Sequence, residues 1–180
     1  STLESVNGMG ETLQADDRGG RKPCAFRPPF FRGAKVAMDD AELRHTPLHG
    51  WHAANGGLMA PFDGWQMPER YAGGPSEEHQ RVRTAAGLFD ICHLGRLLVD
   101  GRGAAAFLQR MQTWDISRLG AGQAHYAMLL REDAGVLDDI FVCRLDPGWL
   151  LVVNASNRDK VLAHLTAAAA GLDVRLRDLS

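Results

Sequence analysis

Three strand-like runs stand in a row with only short turns between them, and nothing else in the chain constrains its fold as strongly. His125 to Leu130, Val136 to Leu145 and Trp149 to Val153 are separated by "REDAG" and by Asp146-Pro147-Gly148. Connections this short join antiparallel neighbours and leave no room for the crossover that a parallel pair needs. The region is therefore expected to form an antiparallel meander.

The middle run, "GVLDDIFVCRL", carries two adjacent carboxylates, Asp138 and Asp139. Side chains alternate between the faces of a strand, so strict parity puts Asp139 with Leu137, Phe141, Cys143 and Leu145. Asp138 then falls on the other face, with Val136, Ile140 and Val142. The two cannot work as a dyad within one regular strand. Each needs its own partners, because a buried carboxylate without hydrogen bonds costs several kcal/mol or takes up a proton. On residues alone, either one faces a ligand or both are tied to nearby backbone N–H groups or arginines.

Helical signals surround the meander. In "HTPLHGWHAANGG", Thr46 is expected as an N-cap and Pro47 as the first helical residue, with Leu48, Trp51 and Asn55 on one face. "LMAPFDGWQMPERYAGG" mixes aromatics with proline and glycine and reads as an irregular packed loop. A helix is expected from Pro75 or Ser76 through "EEHQRVRTAA" to Gly87, acids first and arginines later, as its dipole favours. A short strand, Arg96 to Val99, closes at Asp100-Gly101, and "AAAFLQRM" supports a short helix. Beyond the meander, Ser156 and Asp159 read as a capping box for a helix through "KVLAHLTAAAA" to Gly171. "LDVRLRDL" then alternates as a half-solvated strand. The fold class expected is α+β, an antiparallel sheet with packed helices.

Residues 1–43 differ from the rest. Their mixture of glycine, proline and both charge signs lacks periodicity, so they are expected to be a disordered or loosely packed extension, with one domain over residues 44–180. The formal net charge of −2 offers no general electrostatic footprint for nucleic acid or an anionic membrane. No run approaches the roughly 18 apolar residues of a membrane span. The three scattered cysteines fit a reducing compartment, and the cytoplasm is the expected location.

Other chemistry-bearing residues have ordinary readings. His45, His49 and His52 lack the matched partner set of a metal site, and Cys92-His93 are sequence neighbours, which seldom gives the geometry of a Cys–His pair. "DGRG" and "GAG" have neither the glycine spacing of a dinucleotide fingerprint nor the Lys-Ser/Thr ending of a phosphate loop.

Four stretches, "TPLHGWHAANGGLMAPFDGWQMPERY", "EEHQRVRTAAGLFDICHLGRLLVDG", "AFLQRMQTWDISRLGAGQAHYAMLLREDAGVLDDIFVCRL" and "LLVVNASNRDK", stand in an order and spacing that resemble the folate-binding aminomethyltransferases, the T-protein family of the glycine cleavage system. The resemblance covers His45 to the end. It implies transfer of a one-carbon unit from an aminomethyl group on the lipoyl arm of H-protein to tetrahydrofolate, giving 5,10-methylenetetrahydrofolate and ammonia. It gives Asp139, the second aspartate of the pair, a place near the pterin and N10 region, where it orients the nucleophile and stabilises positive charge. Leu94, Leu98 and Tyr126 become pocket walls, Phe141 and Cys143 line Asp139's side, and Asn154 and Asn157 become polar supports.

This sequence departs from the family pattern at Cys92, Leu94 and Trp114, where Ser, Met and Asn are more usual. Leucine for methionine keeps an apolar wall. Tryptophan for asparagine reshapes a loop or marks a different donor, which keeps a tetrahydrofolate-dependent demethylase as an alternative; the retained aspartate without the family's distal half gives a second, a folate-binding or assembly module without turnover. Family members also continue for about as many residues again or more, carrying an aromatic pair and a glutamate that grips the pterin. The expectation is an N-terminal part: a fragment, a truncated product or one half of a split protein.

Overall fold

The computed structural model describes residues 43–180. The extension expected over residues 1–43 therefore lies, apart from Leu43, outside the described residues. Those described form two sheets and four α-helices, an α+β arrangement.

The smaller sheet has the order β1-β3-β2, with β1 (Arg44–His45) parallel to β3 (Trp65–Arg70) and β2 (Leu58–Phe62) antiparallel to it. Its hairpin replaces the irregular loop expected there. Asp63 and Gly64 both have positive φ, 48° and 79°, as a tight two-residue hairpin turn requires. The prolines obscured it: Pro61 lies on β2, an edge strand, and Pro68 faces Met59 beside a register shift, so neither interrupts a regular central ladder.

Helix α1 (His49–Ala54) starts later than expected, and Leu48 rather than Thr46 precedes it, with no side-chain cap. Thr46 is withdrawn from capping because its hydroxyl donates to Asp90 at 2.6 Å. Leu48 and Trp51, expected on one face, are both exposed, and His52 is the buried residue of the helix. Helix α2 (Gly74–Thr84) buries none of its residues.

The larger sheet, β5-β6-β7-β4-β8, is antiparallel throughout. Strands β5 (Ala124–Leu130), β6 (Val136–Arg144) and β7 (Trp149–Val153) form the expected meander. Strand β4 (Gly95–Asp100) inserts beside β7, and β8 (Arg175–Asp178) closes the edge. Helices α3 (Ala104–Met111) and α4 (Arg158–Ala168) cover one face. Ala104, Phe107 and Leu108 recur at helical spacing on α3, as Val161 and Leu165 do on α4, and both sets meet Leu97, Leu129, Ile140 and Leu151 in one core. Each fully buried leucine contributes about 1.5–3 kcal/mol by leaving water. The expected capping box of α4 does not form, since Asn157 precedes the helix without a side-chain cap and the Ser156 hydroxyl donates instead to Asp63.

Gly95 shows how tightly this layer closes. A Cβ there would stand 2.5 Å from Val153 Cγ2 and 3.1 Å from Arg158 Cγ, so Gly95→Ala forces the Val153 side chain or the strand that carries it to shift. Overpacking of this kind is expected to cost about 1–3 kcal/mol, read as a lower denaturant midpoint with an unchanged slope.

Candidate functional site

The face of the larger sheet opposite the helices carries the residues expected to act. Register aligns them in rows across the strands. Tyr126 pairs with Phe141 and Phe141 with Val152, which pairs with Arg96; Cys143 pairs with Leu150, which pairs with Leu98. Asp139 lies opposite Met128. Leu94 and Asn154 stand just beyond the last pair of the β4–β7 ladder, Gly95 with Val153. The sheet thus draws Leu98, Tyr126, Asp139, Phe141 and Cys143 to one surface, with Asn154 at its margin and Leu94 in the bend that leads into β4.

Parity fails at one point. Leu129 pairs with Asp138 and Leu130 with Val136, so Leu137 is the extra residue of a β-bulge. Leu137 turns into the core, 8% exposed, and does not share Asp139's face as strict alternation implied. Val136, expected beside Ile140, is 58% exposed. Beyond the bulge the alternation holds, with Asp138, Ile140 and Val142 buried and Asp139 and Phe141 exposed.

The two carboxylates therefore have unlike surroundings, joined by one amide. Asp138, 2% exposed, accepts from the Asn154 main-chain N–H (3.0 Å), Asn154 Nδ2 (2.9 Å) and Asn157 Nδ2 (2.6 Å). Asp139 accepts from Asn154 Nδ2 at 2.9 Å and from the Tyr126 hydroxyl at 3.0 Å. That hydrogen bond, with burial and the nearby charges of Asp139 and Asp138, raises the Tyr126 phenol above its ordinary range. Tyr126 packs edge-on to Phe141, ring centres 5.6 Å apart. The result is an open, half-apolar surface bearing one oriented carboxylate. Burial also pushes up the Cys143 thiol, the opposite of what activates a nucleophile.

Leu150 and Val152 share this surface and were missed in the sequence, although the alternation of "WLLVV" contains them. Trp114 lies elsewhere. Its ring stacks on His125, centres 3.4 Å apart, and packs against the helix-side core. The substitution at Trp114 thus reshapes the layer behind the sheet, not the surface around Asp139.

A second polar cluster was not foreseen. The Asp90 side chain, 1% exposed, accepts from Thr46 (2.6 Å), from the Cys92 N–H (2.9 Å) and from His52 Nε2 (3.0 Å). Because Asp90 only accepts, His52 donates to it through Nε2, and the His52 Nδ1 meets the Tyr71 hydroxyl at 2.5 Å. The order Tyr–His–Asp resembles an activated nucleophile, but burial and the charges of Glu78 and Asp90 raise the Tyr71 phenol, the opposite of activation. The cluster ties four segments together. It borders a cavity of about 560 Å³, and another of about 620 Å³ opens between α3, α4 and the β5–β6 turn; neither includes Asp139. Among the described residues no group of His, Cys, Asp and Glu side chains is arranged to hold a metal ion. No helix among them is long and apolar enough to cross a membrane.

Comparison with known proteins bears on the whole arrangement. The family model described as "GCVT N-terminal domain" matches residues 48–180. The aminomethyltransferase of Rubrobacter xylanophilus is 48% identical over 143 residues, covering 79% of this chain and 38% of that protein. That of Deinococcus deserti is 44% identical over 142 residues, 78% of this chain and 40% of the relative. The crystal structure of glycine cleavage system aminomethyltransferase T from Bartonella henselae superposes with a TM-score of 0.72 at 38% identity, covering 76% of this chain and 38% of that one. The chain thus spans about two fifths of the length of these relatives. With its α+β architecture and most of its length accounted for by these matches, the chain belongs to the GCVT N-terminal domain family.

Proposed function

We propose that this chain supplies the folate-facing wall of a glycine cleavage aminomethyltransferase, which moves a one-carbon unit from the aminomethylated lipoyl arm of H-protein to tetrahydrofolate and releases ammonia. Residues 44–180 are then part of a folate-binding domain working in the cytoplasm. The observation that carries the reading is the oriented Asp139 carboxylate, held by Tyr126 and Asn154 on a surface of half-exposed apolar side chains.

The residues fit such a ligand. Tyr126 and Phe141, 45% and 50% exposed, offer flat apolar area for a ring system, Leu98 and Cys143 extend the row across the sheet, and the reading adds Leu94 from the bend before β4. Tetrahydrofolate, when bound, supplies the amine that accepts the one-carbon unit. Asp139 orients that amine and stabilises positive charge developing beside it, an electrostatic role that grows as water is excluded. Asn154 and Tyr126 keep the carboxylate from rotating away. No covalent catalysis by the protein is needed. The demethylase alternative rests on Trp114, which packs on the helix side of the sheet and not beside Asp139; activity independent of lipoylated H-protein would favour it.

Calorimetric titration of tetrahydrofolate into this chain tests the wall itself. Saturable binding is expected, weak because one wall provides the contacts, with Kd on the order of 0.1–1 mM. Absence of heat at ligand concentrations well above that range overturns the folate reading. Ammonia release from aminomethylated H-protein, dependent on tetrahydrofolate, separates the transferase from a binding module without turnover.

A further inference from the structure

We propose that Asp138, the buried carboxylate, is a positioning residue that acts through the Asn154 amide to hold Asp139 in its working orientation. The inference deepens the reading of Asp139 as the folate-facing group and rests on it for its functional meaning.

The geometry leaves the amide little choice. Asn154 Nδ2 has two hydrogens and stands 2.9 Å from Asp138 Oδ1 on one side and 2.9 Å from Asp139 Oδ1 on the other, with the Asp139 carbonyl at 3.2 Å sharing the second. All these partners accept only. Turning the amide over would set its oxygen against two carboxylates, so the NH₂ end is locked between them. Asp138 is itself fixed, since the Asn154 N–H holds its Oδ2, Asn157 Nδ2 shares its Oδ1 with the Asn154 amide, and it is 2% exposed. Asp139 has no such burial. Its orientation comes from Asn154 and Tyr126, and that of Asn154 comes from Asp138. This also accounts for two adjacent carboxylates on opposite faces of one strand: the buried one aims the donor that the exposed one uses.

Tyr126 provides the readout. The chain has two tyrosines, so tyrosine labelled with ¹³C at Cζ gives two signals: Tyr126, hydrogen-bonded to Asp139, and Tyr71, a fold control in the distant cluster. At neutral pH, Asp138→Asn is expected to move the Tyr126 signal toward the position of a free tyrosine and leave Tyr71 in place. Removing a charge acts on Tyr126 directly as well, so the measurement is a double-mutant cycle with Asn154→Ala. If Asp138 works through Asn154, the displacement caused by Asp138→Asn shrinks to less than half in the Asn154→Ala background. Equal displacements in both backgrounds overturn the proposal.

Should Asp138→Asn fail to fold, as a lost Tyr71 signal would reveal, Asn157→Ala replaces it in the cycle. That change removes a donor from Asp138 without removing charge or touching Asp139, and the same contrast between backgrounds is expected. A tetrahydrofolate titration of each variant then separates the two ideas. A coupled Tyr126 signal with a loss of folate affinity in proportion supports both, whereas a coupled signal with no folate binding by any version retains the positioning role and rejects the folate reading.

Discussion

Under the proposed function, Asp139→Asn is expected to lower tetrahydrofolate-dependent turnover by about 10²–10³-fold, the loss that follows removal of one preorganised electrostatic group. Its cost to folding is expected to be small, a fall in unfolding temperature of no more than about 3 °C. The side chain is exposed, asparagine keeps its shape and one acceptor, and the exposed Tyr126 hydroxyl can turn to water for the lost bond. The charge alone is removed. Steady-state kinetics beside a thermal melt make the check, and a large loss of stability with folate affinity and turnover retained would sink the assignment.

The opposite signature is expected at Asp90. Asp90→Ala strips three donors, Thr46 Oγ1, the Cys92 N–H and His52 Nε2, of a shared acceptor in a site almost closed to water. Each orphaned donor costs about 1–3 kcal/mol, and losing the buried network is expected to cost about 3–5 kcal/mol in all. For a domain with about 5–15 kcal/mol of total stability, that is a severe change. Denaturant unfolding should show it directly, and a loss below about 1 kcal/mol would mean that the segments around Asp90 are held by something else. The cluster also has a pH signature. Burial alone would raise the Asp90 carboxyl, but the hydrogen bonds from Thr46, Cys92 and His52 outweigh it and hold the group well below the usual carboxylate range. A carboxyl depressed on folding stabilises the native state above its unfolded value near pH 4, and that contribution is lost as pH falls from there toward the folded value. The variant should therefore lose less stability than the parent on acidification below about pH 4.

The meander and its two flanking helices are legible because local signals agree there: alternation, short turns and helical spacing all point to the same elements. The β2–β3 hairpin is not, since Pro61 and Pro68 look like strand breakers until the edge position of β2 and the register shift beside Met59 make them harmless. Thr46 and Ser156 have the chemistry of caps, yet both hydroxyls serve distant carboxylates, Asp90 and Asp63. A side chain with several acceptors within reach takes the one that tertiary packing brings closest, and sequence spacing does not report that choice. The Asp90 cluster was hidden for the same reason, as its members come from positions 46, 52, 71, 90 and 92.

The pair Asp138-Asp139 marks the division most clearly. The sequence by itself determined that the two aspartates lie on opposite faces, because a strand repeats every two residues, and that the run containing them pairs antiparallel with both neighbours. The resemblance singled out Asp139. Only the tertiary structure decided which face the helices cover, where the bulge at Leu137 resets the alternation, and that Asn154, from the end of β7, carries one hydrogen to each carboxylate. These depend on which strands lie side by side and in what register, a property of the whole sheet that no single strand's pattern encodes.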